Sequence, residues 1–185
     1  MRTQNLPARF VEEHDVLEIA SFKAYIEQVK NGRGDDIETL LQSCETYLNT
    51  LDPTSSAIIV MDSILPCWDW LVDSNCTSAE IVQFSQSLVS KLETFNPALI
   101  LVEGDLSIAL GRAIQDRGME WALNKGEQRG GAREVDAYLA YLERLREGMV
   151  PNLPHWPFKI VRVNTIDNPI EQALGMVTNG LKIKD

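Results

Sequence analysis

Asp62 is the residue of this sequence whose position most directly suggests chemistry. It follows Ala57–Met61, a continuous apolar run rich in β-branched residues that predicts a buried strand. A carboxylate at the end of such a strand loses hydration unless it meets a cation or accepts hydrogen bonds. We therefore predict that Asp62 is a functional acid. The alternative is a carboxylate that caps the next turn through Ser63.

Acidic residues also cluster near the start of the sequence, where Arg9–Glu13 is interpreted as a short strand or an extended segment. Our candidate for a base that acts on an acceptor is Glu13, and Glu12 and Asp15 are its acidic neighbours. Asp15 has an alternative role as the cap of the helix that follows. His14 is interpreted as a surface residue, because the two histidines of the chain have no zinc-ligand spacing.

The charge of the chain is uneven. The 185 residues carry a formal net charge of −10, but the window from residue 112 to 133 contains five basic and three acidic residues. A basic segment in an acidic protein suits a small anionic ligand better than a polyanion, although a solvated loop of mixed charge explains it equally well. The basic residues are Arg112, Arg117, Lys125, Arg129 and Arg133.

Composition limits the class of protein. A length of 185 residues with 44% hydrophobic residues suits one domain with a substantial core. The net negative charge argues against duplex nucleic acid or an anionic membrane as the main partner. Three cysteines without a CxxC pair predict a reduced, cytoplasmic protein. The sequence has no run near the roughly 20 apolar residues that a membrane span needs, and no signal peptide.

Apolar runs and helical periodicities alternate along the chain. Strands are predicted at 9–13, 57–61, 98–102 and 158–163, and amphipathic helices at 16–31, 37–51, 77–92, 106–117, 138–149 and 168–179. The segments 64–75 and 151–157 are predicted to be irregular. This alternation predicts an α/β fold of three layers, in which helices flank a mainly parallel sheet, within a single domain that spans residues 1–185. Its core is predicted to include Ile58, Ile59, Val60, Leu99, Ile100, Leu101, Ile160 and Val161.

Ligands bind to such sheets at the carboxyl ends of the parallel strands. In this sequence those ends carry polar residues, at 12–15, 62–63, 103–105 and 164–165. These residues are the site predicted from the sequence pattern alone. The polar, glycine-rich segment of about 119–134 is predicted to be a mobile, lid-like loop.

The order of these elements and four short motifs resemble the P-loop nucleoside and nucleotide kinases, in particular the thymidylate-kinase-like group. The first motif is AIIVMDS, which contains Asp62, and the second is the stretch Pro97–Gly118. The third is YLERLRE at residues 141–147, and the fourth is IVRVNTID, which contains Thr165. The resemblance extends over about residues 10–174.

The resemblance implies a function and a set of site residues. Members of the family transfer the γ-phosphoryl group of ATP, with Mg²⁺, to a nucleotide or another small acceptor. Asp62 is similar to the family acid that contacts Mg²⁺ or the acceptor, and Thr165 lies in the loop that would flank the adenine. Arg112 is similar to an arginine near the adenine and Arg117 to one near phosphate, although a helix C-terminus favours cations in any case. The other basic residues resemble lid charges, and they are Lys125, Arg129 and Arg133.

One family motif is missing. The sequence contains no G-x-x-x-x-G-K-[ST], the loop whose backbone N–H groups and lysine hold the β- and γ-phosphates. In the family this loop precedes the strand that corresponds to Arg9–Asp15, so we expect the first strand, the loop and the first helix to be missing. The resemblance then predicts a gap between the strands 57–61 and 99–102. A homo-oligomer formed through the sheet edge is one expected way to fill that gap.

Two classes of function follow from these observations. The leading hypothesis is a kinase-like phosphotransferase domain with little or no activity, because the phosphate loop is absent; if it is active, its cofactors are ATP and Mg²⁺. The alternative is a non-catalytic pseudoenzyme or interaction subunit that recruits a partner through its acidic surface and exposed sheet edge. An unrelated hydrolase or sugar-phosphate binder is a weaker hypothesis, since no nucleophile elbow surrounds Ser63.

Overall fold

The computed structural model describes residues 8–55, 57–62, 65–166, 168 and 170–181, without the side chains of Glu13 and Ile170. The strands are β1 (Ala8–Val11), β2 (Ile58–Met61), β3 (Ala98–Glu103) and β4 (Lys159–Asn164). The α-helices are α1 (Lys23–Lys30), α2 (Ile37–Leu48), α3 (Trp68–Asp73), α4 (Ser78–Leu92), α5 (Leu106–Arg117), α6 (Met119–Lys125), α7 (Val135–Met149) and α8 (Ile170–Leu181). The described chain is therefore an α/β protein, as its sequence predicts.

The described residues form two compact units. Unit 1 consists of the residues up to Pro97 together with Gly148–Pro157. Unit 2 consists of Ala98–Glu147 and the residues from Phe158 onward. Because compact units can belong to one domain, the single-domain organisation stays a prediction.

Each unit contains one parallel pair of strands. In unit 1, β1 pairs with β2 in a register that runs from Ala8 opposite Ile58 to Val11 opposite Met61. In unit 2, β3 pairs with β4, and Glu103 lies opposite Asn164 at their carboxyl ends. Among the residues that the structure describes, each strand has a single pairing partner, and β2 does not pair with β3. The parallel strands are confirmed, whereas the three-layer arrangement stays a prediction.

Unit 1 owes its core mainly to α2 and α4, which pack against each other. Helix α4 begins with a capping box, in which the Thr77 hydroxyl accepts from the Glu80 backbone N–H and the Glu80 carboxylate accepts from that of Thr77. Its apolar stripe includes Phe84, which is 1% exposed, and Leu40 of α2 and Phe22 are fully buried in the same unit. The sequence thus places both the start of the helix and the face that it buries.

In unit 2, helix α8 covers β4. Val161 and Val163 of β4 are buried with Ala173 of α8, and Val177 and Leu181 pack against them. Gly180 lies in this helix where a Cβ atom would be 2.8 and 2.9 Å from the two methyl groups of Val161. The sequence pattern ends the helix at this glycine, but in the structure Gly180 lies inside the helix and allows close contact with the sheet.

We expect opposite effects from two alanine substitutions in α8. Gly180→Ala should lower the free energy of unfolding by about 1–2 kcal/mol, because its methyl group overlaps Val161. Gly175→Ala should raise it by about 0.5–1 kcal/mol, because no atom lies within 4 Å of the new Cβ and alanine favours a helix. Urea unfolding of both variants measures the difference. Equal effects would contradict the close contact of α8 with β4.

Burial of the strands is less complete than the apolar runs predict. Of the eight strand residues predicted for the core, only Val161 is fully buried. Val60 is 37% exposed and Ile100 is 39% exposed, so the prediction of burial on both faces is wrong for them. The physical reason is that each described sheet has only two strands, and in unit 2 the covering helix packs over β4.

Four stretches differ from the predicted elements. The predicted helix 16–31 is shorter, since α1 spans Lys23–Lys30 and follows short 3₁₀ turns. The segments predicted to be irregular contain α3 and a 3₁₀ helix at Val150–His155. The glycine-rich segment predicted as a loop consists of α6 and a π-helical turn at Gly126–Gly130. There the glycines allow close packing: a Cβ on Gly126 would overlap the Glu134 carbonyl oxygen.

Candidate functional site

Asp62 and Glu13 both follow strands of unit 1. The backbone N–H of Asp62 donates to the Val11 carbonyl oxygen at 2.9 Å, so the residue directly continues the β1–β2 pairing. Glu13 begins the 3₁₀ helix Glu13–Leu17 just after β1, and its side chain lies outside the described part of the structure. Since β1 and β2 are parallel, both residues lie at the carboxyl edge of this strand pair.

The acidic neighbours of Glu13 are engaged in a helix cap. The Glu12 backbone N–H donates to the Asp15 carboxylate at 2.8 Å, which completes a reciprocal capping box. His14 is largely exposed, and its ring nitrogens lie 3.3 Å from the Glu12 carboxylate and 3.5 Å from that of Asp15. These contacts fit the alternative in which Asp15 is a cap and His14 is a surface residue.

Arg112 and Thr165 meet at the carboxyl edge of the β3–β4 pair in unit 2. The Arg112 guanidinium, on α5, donates to the Thr165 carbonyl oxygen at 2.9 Å and to the Ile166 carbonyl oxygen at 3.4 Å. The Thr165 backbone N–H in turn donates to the Glu103 carbonyl oxygen at 3.3 Å. The Asn164 side chain accepts from the Ile166 N–H at 2.9 Å and closes the turn. A planar cation is thus fixed against the turn that follows β4.

The turn between β3 and α5 completes this edge. The Asp105 carboxylate accepts from the backbone N–H groups of Ser107 at 2.9 Å and Ile108 at 3.1 Å, and so caps α5. The hydrogen bond from the Ser107 hydroxyl is the main reason that the pKa of Asp105 lies below its usual range, and the hydrogen bond from the Ile108 N–H lowers this pKa further. Gly104 is tightly enclosed, because a Cβ there would come within 2.5 Å of Ile166. Asp105 is therefore a helix cap in this structure.

Two arginines that the sequence patterns did not single out also reach this edge. An Arg146 nitrogen of α7 lies 3.5 Å from the Gly104 carbonyl oxygen, and Arg162 of β4 forms an ion pair with Glu103. Arg146 belongs to the YLERLRE motif, which was the available signal for it. Arg162 belongs to the motif IVRVNTID, to which the resemblance assigned a role only at Thr165.

The remaining predicted cations of unit 2 contact their own unit. Arg117 lies over the Trp121 ring at 5.1 Å, and Arg129 lies over the Tyr141 ring at 5.9 Å. Such cation–π contacts contribute about 0.5–1 kcal/mol at exposed sites. These two predicted phosphate contacts are therefore already engaged with aromatic side chains.

Arg133 is held by acidic and amide groups of the glycine-rich segment. It forms an ion pair with Glu120 and a second with Glu127 at 3.3 Å, and it donates to Asn124 at 2.6 Å. The hydrogen bond to Glu120, supported by Glu127, raises the pKa of Arg133. Lys125 has no ion-pair partner among the residues that the structure describes.

The donor set for a metal ion is small. Within the described ranges, no three histidine, cysteine or acidic side chains converge in a way that could hold a metal. Mg²⁺ often binds one or two carboxylates and takes its other ligands from phosphates and water. Asp62 alone therefore fits Mg²⁺ only where phosphate oxygens complete the coordination, and its role as a ligand stays a prediction.

A groove of about 320 Å³ opens in unit 1 between the C-terminal parts of α2 and α4. Lys91 and Glu45 form an ion pair of 3.3 Å there. No residue that the sequence predicts to bind a ligand is among those that line it. The other lining residues are Leu48, Asn49, Leu51, Pro53, Thr94 and Phe95.

The predicted site residues are divided between the two units. Asp62 and Glu13 belong to unit 1, whereas Arg112, Thr165 and the other predicted cations belong to unit 2.

Among the described helices, none combines the length and the apolar character needed to cross a bilayer. Comparison of the chain with protein-family models, curated proteins and solved structures gives no significant match. The kinase resemblance therefore stays a prediction from the motifs.

Proposed function

We propose that this chain is a nucleoside or nucleotide kinase-like phosphotransferase domain and that the carboxyl edge of β3–β4 binds the adenine of ATP. The observation that carries the proposal is the position of Arg112. Its guanidinium group is anchored by two backbone carbonyl groups of the Thr165–Ile166 turn. The resemblance assigns the adenine to this arginine and this turn, which are 53 residues apart in the sequence.

The chemistry of the anchored guanidinium suits a purine base. A guanidinium group is planar and weakly hydrated, so it stacks on aromatic rings as well as forming ion pairs. Two carbonyl acceptors fix the plane of Arg112 and reduce the entropy that stacking would cost. The backbone N–H groups and carbonyl oxygens of Thr165 and Ile166 are already paired, so stacking on the anchored Arg112 is the contact that the base would gain.

The strand pairs support the finer fold that the resemblance implies. We propose that β1–β2 and β3–β4 belong to one mainly parallel sheet that helices flank on both faces, in a three-layer fold. In support, β2 pairs only with β1 and β3 only with β4 within the described chain. Val60, Ile100 and Val102 are exposed apolar side chains on these strands, and helices on both faces of a common sheet would bury them.

Phosphoryl transfer by these 185 residues is expected to be weak or absent. ATP would supply the γ-phosphoryl group, and the resemblance gives Asp62 the role of holding Mg²⁺ or orienting the acceptor, with Glu13 as the candidate base. Nothing in the sequence replaces the lysine and backbone amides of the phosphate loop. Arg129 and Arg133 already contact Tyr141, Glu120 and Glu127. The contacts to the adenine are therefore expected to contribute more to ATP binding than the contacts to the phosphates.

Arg112→Ala should weaken adenosine binding about tenfold, because a stacked cation contributes about 1–2 kcal/mol to the binding of an aromatic ring. The matched control is Arg33→Ala, which removes the same charge from an exposed position in unit 1. Equilibrium dialysis with labelled adenosine measures both. Unchanged affinity in Arg112→Ala, or equal loss in both variants, would contradict the proposed role of Arg112.

A non-catalytic interaction subunit is the second candidate function. The observation that favours it is the exposure of apolar strand residues: Phe10 is 71% exposed and Val102 is 63% exposed. Unpaired strand edges beside apolar side chains are typical of surfaces that bind another chain. Sedimentation over a range of protein concentrations, together with the adenosine dialysis, separates the two candidates. Self-association without adenosine binding favours the interaction subunit, and a monomer that binds adenosine favours the kinase-like protein.

A further inference from the structure

Two cysteine side chains of unit 1 are in contact. The Sγ atoms of Cys44 and Cys67 are 3.8 Å apart, and both residues are buried, at 0% and 1% exposure. Cys44 lies in α2, whereas Cys67 is the N-cap residue of α3. Since 22 residues separate them in the sequence, this contact is created by the fold and not by local spacing.

Packing keeps the two sulfur atoms together. Cys44 shares the buried face of α2 with Leu40 and Leu48, and Cys67 is followed by the buried Trp68. The Trp68 ring is itself anchored, because its Nε1–H donates to the Ser85 hydroxyl at 2.8 Å. A disulfide bond is about 2.0 Å long, so the sulfur atoms have to approach by less than the width of one atom. When one sulfur atom is oxidised, the sulfur atom with which it must react therefore already lies next to it.

We propose that Cys44 and Cys67 are a modification site at which a peroxide forms a reversible intramolecular disulfide. A thiolate of the pair attacks the peroxide, takes up one oxygen atom as a sulfenic acid and releases water when the peroxide is H₂O₂. The second thiol attacks the sulfenic sulfur, the S–S bond forms and a second water leaves. In total, two thiols are oxidised by two electrons and one H₂O₂ is reduced to two waters.

The disulfide would connect α2 to the segment between β2 and α3. Cys67 follows the candidate catalytic acid Asp62 by five residues in the sequence. Cross-linking also removes conformations from the unfolded chain and should raise the melting temperature. The proposal requires only the reduced thiol pair of unit 1 and is independent of the kinase-like function.

Burial predicts how the reaction depends on pH. Removal from water raises the pKa of the Cys67 thiol, and the contact with Cys44 raises it further. Because the thiolate is the reactive form, the rate of disulfide formation should rise steeply between pH 7 and pH 9. Cys76 is only partly buried, and burial raises the pKa of its thiol to about 11. Because Cys44 and Cys67 are both buried, the appropriate oxidant for this pair is a small peroxide.

Oxidation of the folded, reduced chain with H₂O₂ tests the proposal. Proteolysis before aspartate separates the three cysteines, because Asp52, Asp62, Asp69 and Asp73 lie between them. We expect a Cys44–Cys67 linked peptide, a fall from three titratable thiols to one, reversal by dithiothreitol, and a higher melting temperature of the oxidised chain. The variant Cys76→Ser should form the same link. Oxidation at Cys76 alone, a link that includes Cys76, or a Cys44 and Cys67 that stay reduced would overturn the proposal.

Discussion

Phe84→Ala is expected to lower the free energy of unfolding by about 3–5 kcal/mol. Phe84 is 1% exposed in the core of unit 1, on the apolar face of α4 that packs against α2. Truncation removes a buried ring and leaves a cavity that rigid helices on both sides cannot fill. Because domains of this size are stable by only about 5–15 kcal/mol, the loss is a large part of the total.

Phe10→Ala is the matched control, because it removes the same ring from a position that is 71% exposed. We expect it to change the free energy of unfolding by about 0.5 kcal/mol or less. Urea unfolding followed by tryptophan fluorescence measures both variants, since Trp68 and Trp70 lie in the same unit as Phe84. Similar effects of the two substitutions would contradict the placement of the unit 1 core between α2 and α4.

Adenosine and Mg·ATP are expected to bind this chain with affinities within about threefold of each other. In a complete P-loop site the phosphates add several charge-assisted hydrogen bonds, each of about 1.5–3 kcal/mol. Two such bonds correspond to a roughly hundredfold or greater gain in affinity. Two of the predicted lid cations are already engaged, since Arg129 lies over Tyr141 and Arg133 is held by Glu120 and Glu127, and the sequence has no G-x-x-x-x-G-K-[ST].

Calorimetric titration at one ionic strength measures the two affinities. We expect both dissociation constants to be in the millimolar range, because only the base side of the ligand is held. ADP and AMP should follow the same pattern. Low-micromolar binding of Mg·ATP, far tighter than that of adenosine, would show that another part of the chain holds the phosphates. The site would then have to be placed elsewhere.

Local signals in the sequence predicted the starts of α4 and α5 and the positions of β2, β3 and β4 well. The Thr77–Glu80 capping box and the Asp105 cap are correct because each depends on residues within three positions of one another. The strands β2, β3 and β4 are correct to within about one residue because their apolar runs are bounded by turn-forming residues. Such features follow from short-range chemistry alone.

Long-range features were harder to predict. Strand pairing depends on residues far apart in the sequence, so the lack of a β2–β3 ladder among the described residues was suggested by the family resemblance and not by any local pattern. The contact between Arg112 and Thr165 was suggested only by the family resemblance. The glycines of the segment 126–130 were interpreted as a sign of a mobile loop. In the structure this segment is a π-helical turn, and the absence of side chains at Gly126 and Gly130 allows close backbone contacts. Burial of Val60 was overestimated because a run of apolar residues does not reveal how many strands flank it.

Chemical-shift mapping of adenosine on the ¹⁵N-labelled chain tests the proposed base site most directly. We expect the largest amide shifts at Gly104, Thr165 and Ile166, a millimolar saturation curve, and much weaker shifts in Arg112→Ala. The Thr165 and Ile166 carbonyl oxygens accept from the Arg112 guanidinium, and Gly104 lies against Ile166 at the carboxyl edge of β3–β4. An unperturbed spectrum at saturating adenosine, or shifts confined to the Lys91–Glu45 groove of unit 1, would contradict a nucleotide site at this edge.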